Sequence, residues 1–235
     1  MNAINAIEEL RQYPVFDIRK VQNVIDKGPE YARLFVHRLK VRGLLQAVER
    51  NKYTLHNDPL VVAPYLVWPS YVSCQTALRY HNLTEQIVHD ITIVTTKPKK
   101  DVRFNNATVR FIKAKPKYLF GFERKKYDGF AIPVAEPEKA LLDTALHKQL
   151  SLSEVKDIMR EHVKELNTQK IVSYIIRIGN ASLARRMGFL LERLGYDCYP
   201  RLKKYVNHNY IRLDYTMPLR GKNNKKWGLT ANIKV

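Results

Sequence analysis

The chain has 235 residues, 41 Lys and Arg against 22 Asp and Glu, and a formal net charge of +19. At 45% hydrophobic it can build a core, so it is no disordered basic tail, and the charge favours an anionic partner, nucleic acid before a membrane surface. No apolar run reaches the roughly 18 residues of a membrane span, Glu8 and Glu9 interrupt any signal-peptide core, and Cys74 and Cys198 lack disulfide or metal spacing, so a cytoplasmic protein with reduced thiols is expected.

Ala3, Ala6, Ile7 and Leu10 fall at helical spacing, and Tyr13-Pro14 ends that helix. Asp17 is placed to cap a second helix through Ile18, Val21, Val24 and Ile25. Asp26-Lys27-Gly28 predicts a tight turn, and Pro29 suits the first turn of a third helix. That helix runs to about Arg42 on Ala32, Phe35, Val36 and Leu39, with Gly43 just beyond its end. Leu44–Val48 and Tyr53–Leu55 predict two short strands joined by the polar tip 49–52. Three helices, a short Gly-containing turn between the last two, and a hairpin make the pattern of a winged helix-turn-helix over residues 1–58.

Residues 57–69 contain Pro59, Pro64 and Pro69 and are expected to be a connector. Residues 70–82 predict a helix capped by Ser70 or Ser73. Strands are expected at Ile91–Thr95, Val102–Phe104, Thr108–Lys113, Tyr118–Glu123 and Phe130–Val134, with hairpin turns at Asn105-Asn106 and Asp128-Gly129. Glu136-Pro137 opens a helix through Ala145, and Ser151 with Glu154 forms a capping box for the next. Thr168 is expected to cap a third helix of this group, and 181–194 a fourth, closed by Gly195. Tyr210–Tyr215 and Trp227–Lys234 look like strands. The whole is α+β: a winged helix, then a mixed α+β domain over 59–235 with a small antiparallel sheet and a helical cluster.

The third helix would present its outward face to base edges in the major groove. Its outward residues are Glu30, Tyr31, Arg33, Leu34, His37, Arg38 and Arg42. Arg33 and Arg38 suit bidentate contact with guanine. Arg19, Lys20, Lys27 and Lys40 are expected on phosphates, and Arg50 and Lys52 at the hairpin tip on the minor groove or backbone.

Three stretches carry a family resemblance. Pro69-Ser70-Tyr71-Val72-Ser73, with Ala77-Leu78 and Asn82-Leu83 further on, resembles the "PSYIS…AL…hGL" segment of AbiEi-type antitoxins, the antitoxin halves of type IV (abortive infection) toxin–antitoxin systems. Ala135-Glu136-Pro137-Glu138-Lys139-Ala140-Leu141-Leu142-Asp143 is similar to that family's "A-x-PEKALLD" signature. Arg186–Gly195 is similar to its "R-x-G-x-LLE-x-LG" helix, and the ending from Trp227 to Ile233 more weakly so. Asn82 stands where the pattern usually has glycine, and asparagine tolerates the left-handed conformation. The resemblance implies an autorepressor binding double-stranded DNA of its own operon, with a C-terminal domain that counters a nucleotidyltransferase-like toxin. A stand-alone regulator without a toxin is the alternative, and a homodimer on DNA is a further expectation. Glu138, Lys139 and Asp143 are candidates for partner contact, but Pro137 and its acidic flanks also suit a plain helix start.

No enzyme is expected. Glu138 and Lys139 are adjacent and helical, which is the wrong spacing for a metal-dependent nuclease. The seven histidines are scattered, Cys74, His81 and His89 come closest to a ligand set, and neither metal nor cofactor is expected. Residues 97–126 hold eleven basic side chains against Asp101 and Glu123, interleaved with aromatics. Such a sheet could hold single-stranded nucleic acid or serve a nuclease. The simpler expectation is aromatics inward and lysines outward.

Overall fold

A computed structural model describes residues 2–86, 89–207 and 209–233. His208 and Lys234 lie outside the described residues. The chain divides into two compact units: Met1–Val72 with His89–Ala114 and Arg124–Pro133, and Ser73–Val88 with Lys115–Glu123 and Val134–Val235.

The first unit begins with α1 (Ala3–Arg11), α2 (Ile18–Ile25) and α3 (Pro29–Val41). The Asp17 carboxylate accepts from the Lys20 N–H, and Asp26 closes α2 in the left-handed conformation at φ 52°. Pro29 fills the first turn of α3, where a missing N–H costs nothing. Beyond α3, Gly43 turns the chain at φ 69° into β1 (Gln46–Glu49) and β2 (Lys52–Thr54), an antiparallel hairpin. Leu10, Phe16, Val21, Ala32, Phe35 and Leu39 are the centre of one buried cluster that these helices share. Phe16, between α1 and α2, also exchanges backbone hydrogen bonds of 2.9 and 2.8 Å with Tyr53 on β2. The hairpin is thus pinned across the helices, a pairing that a single residue between two helical patterns does not announce.

Where a plain connector was expected, a short helix, α4 (Pro59–Val62), is capped by the Asp58 carboxylate. The expected helix start at Ser70 is a strand instead, β3 (Ser70–Val72), and all three residues are buried. The sheet built on it adds β4 (Ile91–Thr95), β5 (Val102–Phe104), β6 (Ala107–Lys113), β7 (Phe122–Tyr127) and β8 (Phe130–Ala135), in the order β5-β6-β4-β3-β8-β7. The small antiparallel sheet expected from the hairpin signals is therefore corrected to six mixed strands. Strand β4 pairs parallel with β6, because the chain passes outside as edge strand β5 and folds back between. Asp128 (φ 45°) and Gly129 (φ 82°) form the turn between β7 and β8. Tyr118 falls in a 3-10 turn rather than a strand, since Pro116 opens that turn.

The second unit is mainly helical: α5 (Cys74–Tyr80), α6 (Pro137–Leu146), α7 (Leu152–Glu161), α8 (Thr168–Ile178), α9 (Ala181–Arg193) and α10 (Tyr199–Leu202). Asn82 follows α5 at φ 57°, the left-handed conformation a glycine would supply. Ser151 and Glu154 complete the capping box of α7. Helix α8 is capped by Asn167, one residue before the expected Thr168. Strands β9 (Ile211–Arg212), β10 (Lys222–Asn224) and β11 (Leu229–Ala231) form a small sheet in the order β10-β11-β9. They are shorter than the expected strands, and β10 had no sequence signal.

The run Arg186–Gly195 owes its composition to one packing event. Trp227 is completely buried and lies against the backbone of α9 at Gly188. A Cβ on Gly188 would sit 2.3 Å from the Trp227 ring, well inside contact distance. The Trp227 Nε1–H donates to Glu192 at 2.7 Å, one turn further along α9. Gly188→Ala is expected to destabilise the protein by about 1–3 kcal/mol through overpacking, despite alanine's better helix propensity. Urea unfolding followed by Trp fluorescence checks this, and an unchanged midpoint would remove Gly188 from the packing account.

Candidate nucleic-acid interface

Helix α3 buries Ala32, Phe35, Val36 and Leu39, so its opposite side faces solvent. Glu30, Tyr31, Arg33, Leu34, His37, Arg38, Lys40 and Arg42 are all exposed there. At about 100° per residue, Glu30, Leu34, His37 and Val41 form the ridge farthest from the core. Arg33 and Arg38, five residues apart, are separated by about 140° and flank that ridge on opposite sides. One arginine therefore stands on each side of the ridge. Val41, 74% exposed at the end of the ridge, was missed in sequence, although its place on the helical wheel was readable.

Arg33, His37, Arg38, Lys40 and Arg42 make no side-chain hydrogen bond or ion pair with any described residue. Arg19 and Lys27 line a surface concavity of about 670 Å³ at the α2–α3 turn, together with Asn23 and Gly28. Lys20 is half-buried, its ammonium 4.0 Å from the Tyr13 ring centroid. The hairpin tip divides. Arg50 is exposed, whereas Lys52 donates to the Leu66 carbonyl and pairs with Glu49 at 2.7 Å. Lys52 is thus a structural cation rather than a free phosphate ligand. Glu49 also receives Lys99 at 2.5 Å. Burial acts to raise the Glu49 pKa, but the hydrogen bonds and charges of Lys52 and Lys99 outweigh it and hold the carboxyl below its ordinary value.

In the basic block, none of Phe104, Phe111, Tyr118, Phe120, Phe122 and Tyr127 is exposed, while Lys97, Lys100, Arg110, Lys113 and Lys126 are. The aromatics pack and the charges face water, so this block offers no exposed stacking platform. No group of three His, Cys, Asp or Glu that could hold a metal occurs among the described residues. None of the described helices is long and apolar enough to cross a membrane.

The three residues considered for partner contact belong to the interior. Glu138 is 5% exposed, and Lys139 and Asp143 are fully buried. Lys139 donates to one Asp143 oxygen, and the Ser73 hydroxyl donates to the other at 2.8 Å. Ser73 caps α5 by position but gives its side chain to this pair. Glu138 accepts from the Asn167 N–H at 2.9 Å, tying α6 to the start of α8. Glu136 accepts from the Tyr174 hydroxyl and pairs with Lys170 at 3.0 Å. Burial and the Glu136 hydrogen bond push the Tyr174 hydroxyl up to about 12. Burial pulls the Lys139 pKa down against the pull of Asp143, and burial with the Asp143 charge pushes the Cys74 thiol far up. Lys139 and Asp143 are therefore corrected from surface candidates to core groups; a charged pair four residues apart in a helix looks like a solvated face in sequence.

No protein-family model matches the chain, and no curated protein matches it.

Asp143→Asn is expected to destabilise the fold by about 3–5 kcal/mol, because it strands a buried ammonium. A drop of that size in urea unfolding is the expected result, and an unchanged midpoint would remove the pair from the stability account. The Glu49 pairings contribute above the ordinary carboxylate pKa and are lost as pH falls through the lowered folded value. The protection factor of the Tyr53 amide, which donates to the Phe16 carbonyl, is therefore expected to fall in acid for the parent once intrinsic exchange is corrected for, and to be low and insensitive to this titration in Glu49→Gln.

Proposed function

We propose that residues 1–58 are a winged helix-turn-helix and that the protein is a DNA-binding transcriptional autorepressor of the AbiEi antitoxin type. The observation that carries the reading is the solvent face of α3: five cationic or titratable side chains without internal partners, on a helix that follows a short turn and precedes a pinned hairpin. Arginines and lysines left unpaired on a rigid helix are pre-organised for an anionic ligand, since binding need break no existing ion pair. Arg33 and Arg38 suit the two walls of a major groove, one on a base edge and the other on base or phosphate. His37 and Leu34 occupy the ridge, where a ring nitrogen or an apolar contact to a thymine methyl suits base readout. Arg50 reaches from the hairpin, and Arg19, Lys27 and Lys40 hold phosphates.

In this reading a nucleotidyltransferase-like toxin meets the outer surface of the second unit, not Glu138, Lys139 or Asp143. A homodimer on an inverted repeat is the arrangement this reading expects.

Arg33→Ala and Arg38→Ala are each expected to lose about 1–3 kcal/mol of binding to the promoter region upstream of the gene, while Lys52→Ala changes affinity much less. A gel-shift titration in which both arginine variants bind like the parent removes α3 from the interface. The salt dependence of the same binding reports how many phosphates are engaged. A slope above about six phosphates means that charge outside residues 1–58 also touches DNA.

A further inference from the structure

Residues in the second unit enclose a concavity of about 420 Å³ bounded by Tyr199, Lys203, Asn207, Tyr210, Lys225 and Gly228, with Lys226 at its edge. That volume is in the range of small-ligand sites. None of the described residues that line it is acidic. Lys203 and Lys225 are exposed and make no side-chain hydrogen bond or ion pair with any described residue. Lys226 is different: Glu192 pairs with it, and its ammonium sits 4.8 Å from the Tyr199 ring centroid.

A second observation lies behind the wall. Arg185 is 2% exposed and forms no ion pair with any described carboxylate. Its guanidinium donates to the Trp227 carbonyl (3.1 Å), the Asn207 side-chain oxygen (2.7 Å), the Asn209 carbonyl (2.6 Å) and the Gly228 carbonyl. Burial alone bears on its pKa, downward. A buried cation is costly unless an opposite charge offsets it. Here only neutral oxygens satisfy its hydrogen bonds, and two of the residues that supply them, Asn207 and Gly228, line the cavity. Gly228 holds φ 60°, and a Cβ there would lie 2.9 Å from the Asn207 carbonyl oxygen and 3.2 Å from the guanidinium. The wall is therefore drawn tightly over an uncompensated positive charge. The aromatic side of the cavity has Tyr210, 42% exposed, and Tyr199, whose ring meets Trp227 edge-on at 5.1 Å.

We propose that this cavity binds a nucleoside di- or triphosphate, with the phosphates on Lys203 and Lys225 over the buried Arg185 and the base against Tyr210. Phosphate oxygens supply the missing negative charge, and a base gives the exposed ring a stacking partner. The cavity shares no residue with the α3 face, and in this proposal the nucleotide is an effector or a substrate shared with a partner.

Isothermal titration of the full chain at physiological salt tests this with three probes: ATP, inorganic tripolyphosphate and adenosine. ATP is expected to bind one per chain, tripolyphosphate more weakly, and adenosine not measurably. Lys203→Ala with Lys225→Ala should weaken ATP by about tenfold or more. Tyr210→Ala should bring ATP down to the tripolyphosphate level. Lys100→Ala with Lys126→Ala, exposed lysines of the first unit, should leave ATP binding unchanged. ATP binding that falls equally in both double variants, or that never exceeds tripolyphosphate, overturns the proposal, the first as general polyanion attraction and the second as a plain anion site. Circular dichroism confirms folding of each variant. Promoter binding should be unaffected by Lys203→Ala with Lys225→Ala; its loss there would make the cavity part of a DNA track and overturn the nucleotide assignment, while leaving the α3 reading intact.

Discussion

The second unit depends on one buried ion pair. Lys139 and Asp143 sit one turn apart on α6, both without solvent, and Ser73 closes the remaining carboxylate oxygen. Burying two opposite charges yields little net stability, because desolvation consumes most of the Coulomb gain. What it creates is intolerance: neither partner can be lost alone. The space around it is equally constrained. Gly121 approaches so closely that a Cβ would lie 3.2 Å from the Lys139 stem, and the Lys139 ammonium lies 5.2 Å from the Phe120 ring centroid. The neighbouring acids, Glu136 at the cap of α6 and buried Glu138, are bonded to Tyr174, Lys170 and the start of α8. The acidic and basic letters of Glu136–Asp143 are thus explained by internal bonding, and the start of α5 is held by the same pair.

Much of the fold was legible because it rests on local chemistry. Asp17, Ser151 and Pro137 mark helix starts whose caps or first turns the structure contains, and Gly43 and Asp128-Gly129 turn where a positive φ is needed. What was not legible depends on distant partners. Ser70–Val72 is three residues long and buried on both faces between β4 and β8, so it has no alternation to distinguish it from a helix start. The parallel pairing of β4 with β6 is a choice of topology that no residue of either strand encodes. Lys139 and Asp143 mislead because sequence gives charge without depth.

The same limit applies to the candidate interface, in the opposite direction. Composition treats Arg50 and Lys52 alike, yet only Arg50 is free; Lys52 belongs to Leu66 and Glu49. Arg33 and Arg38 look like a pair in the sequence, but helix geometry sets them on two flanks with His37 between. Net charge predicts attraction to an anion; the distribution of internal partners decides which cations are left to meet it. By that measure Arg185 is the odd one, a cation with all three guanidinium nitrogens bonded to neutral oxygens.

The hairpin after α3 has consequences for how such a protein can evolve. Glu49 is shared with Lys99, the Asn57 carbonyl accepts from Asn105, and Asp58 accepts from the Tyr127 hydroxyl at 2.8 Å. These bonds join the first 58 residues to strands and loops encoded 40 to 70 positions later, inside one unit. A reader module is usually exchanged between regulators as a cassette cut at its linker. Here the cut would take the Lys99 ammonium, the Asn105 amide and the Tyr127 phenol from their acceptors Glu49, Asn57 and Asp58. If α3 reads DNA as proposed, new specificity is therefore reached by substitution along α3, not by recombination of the whole module.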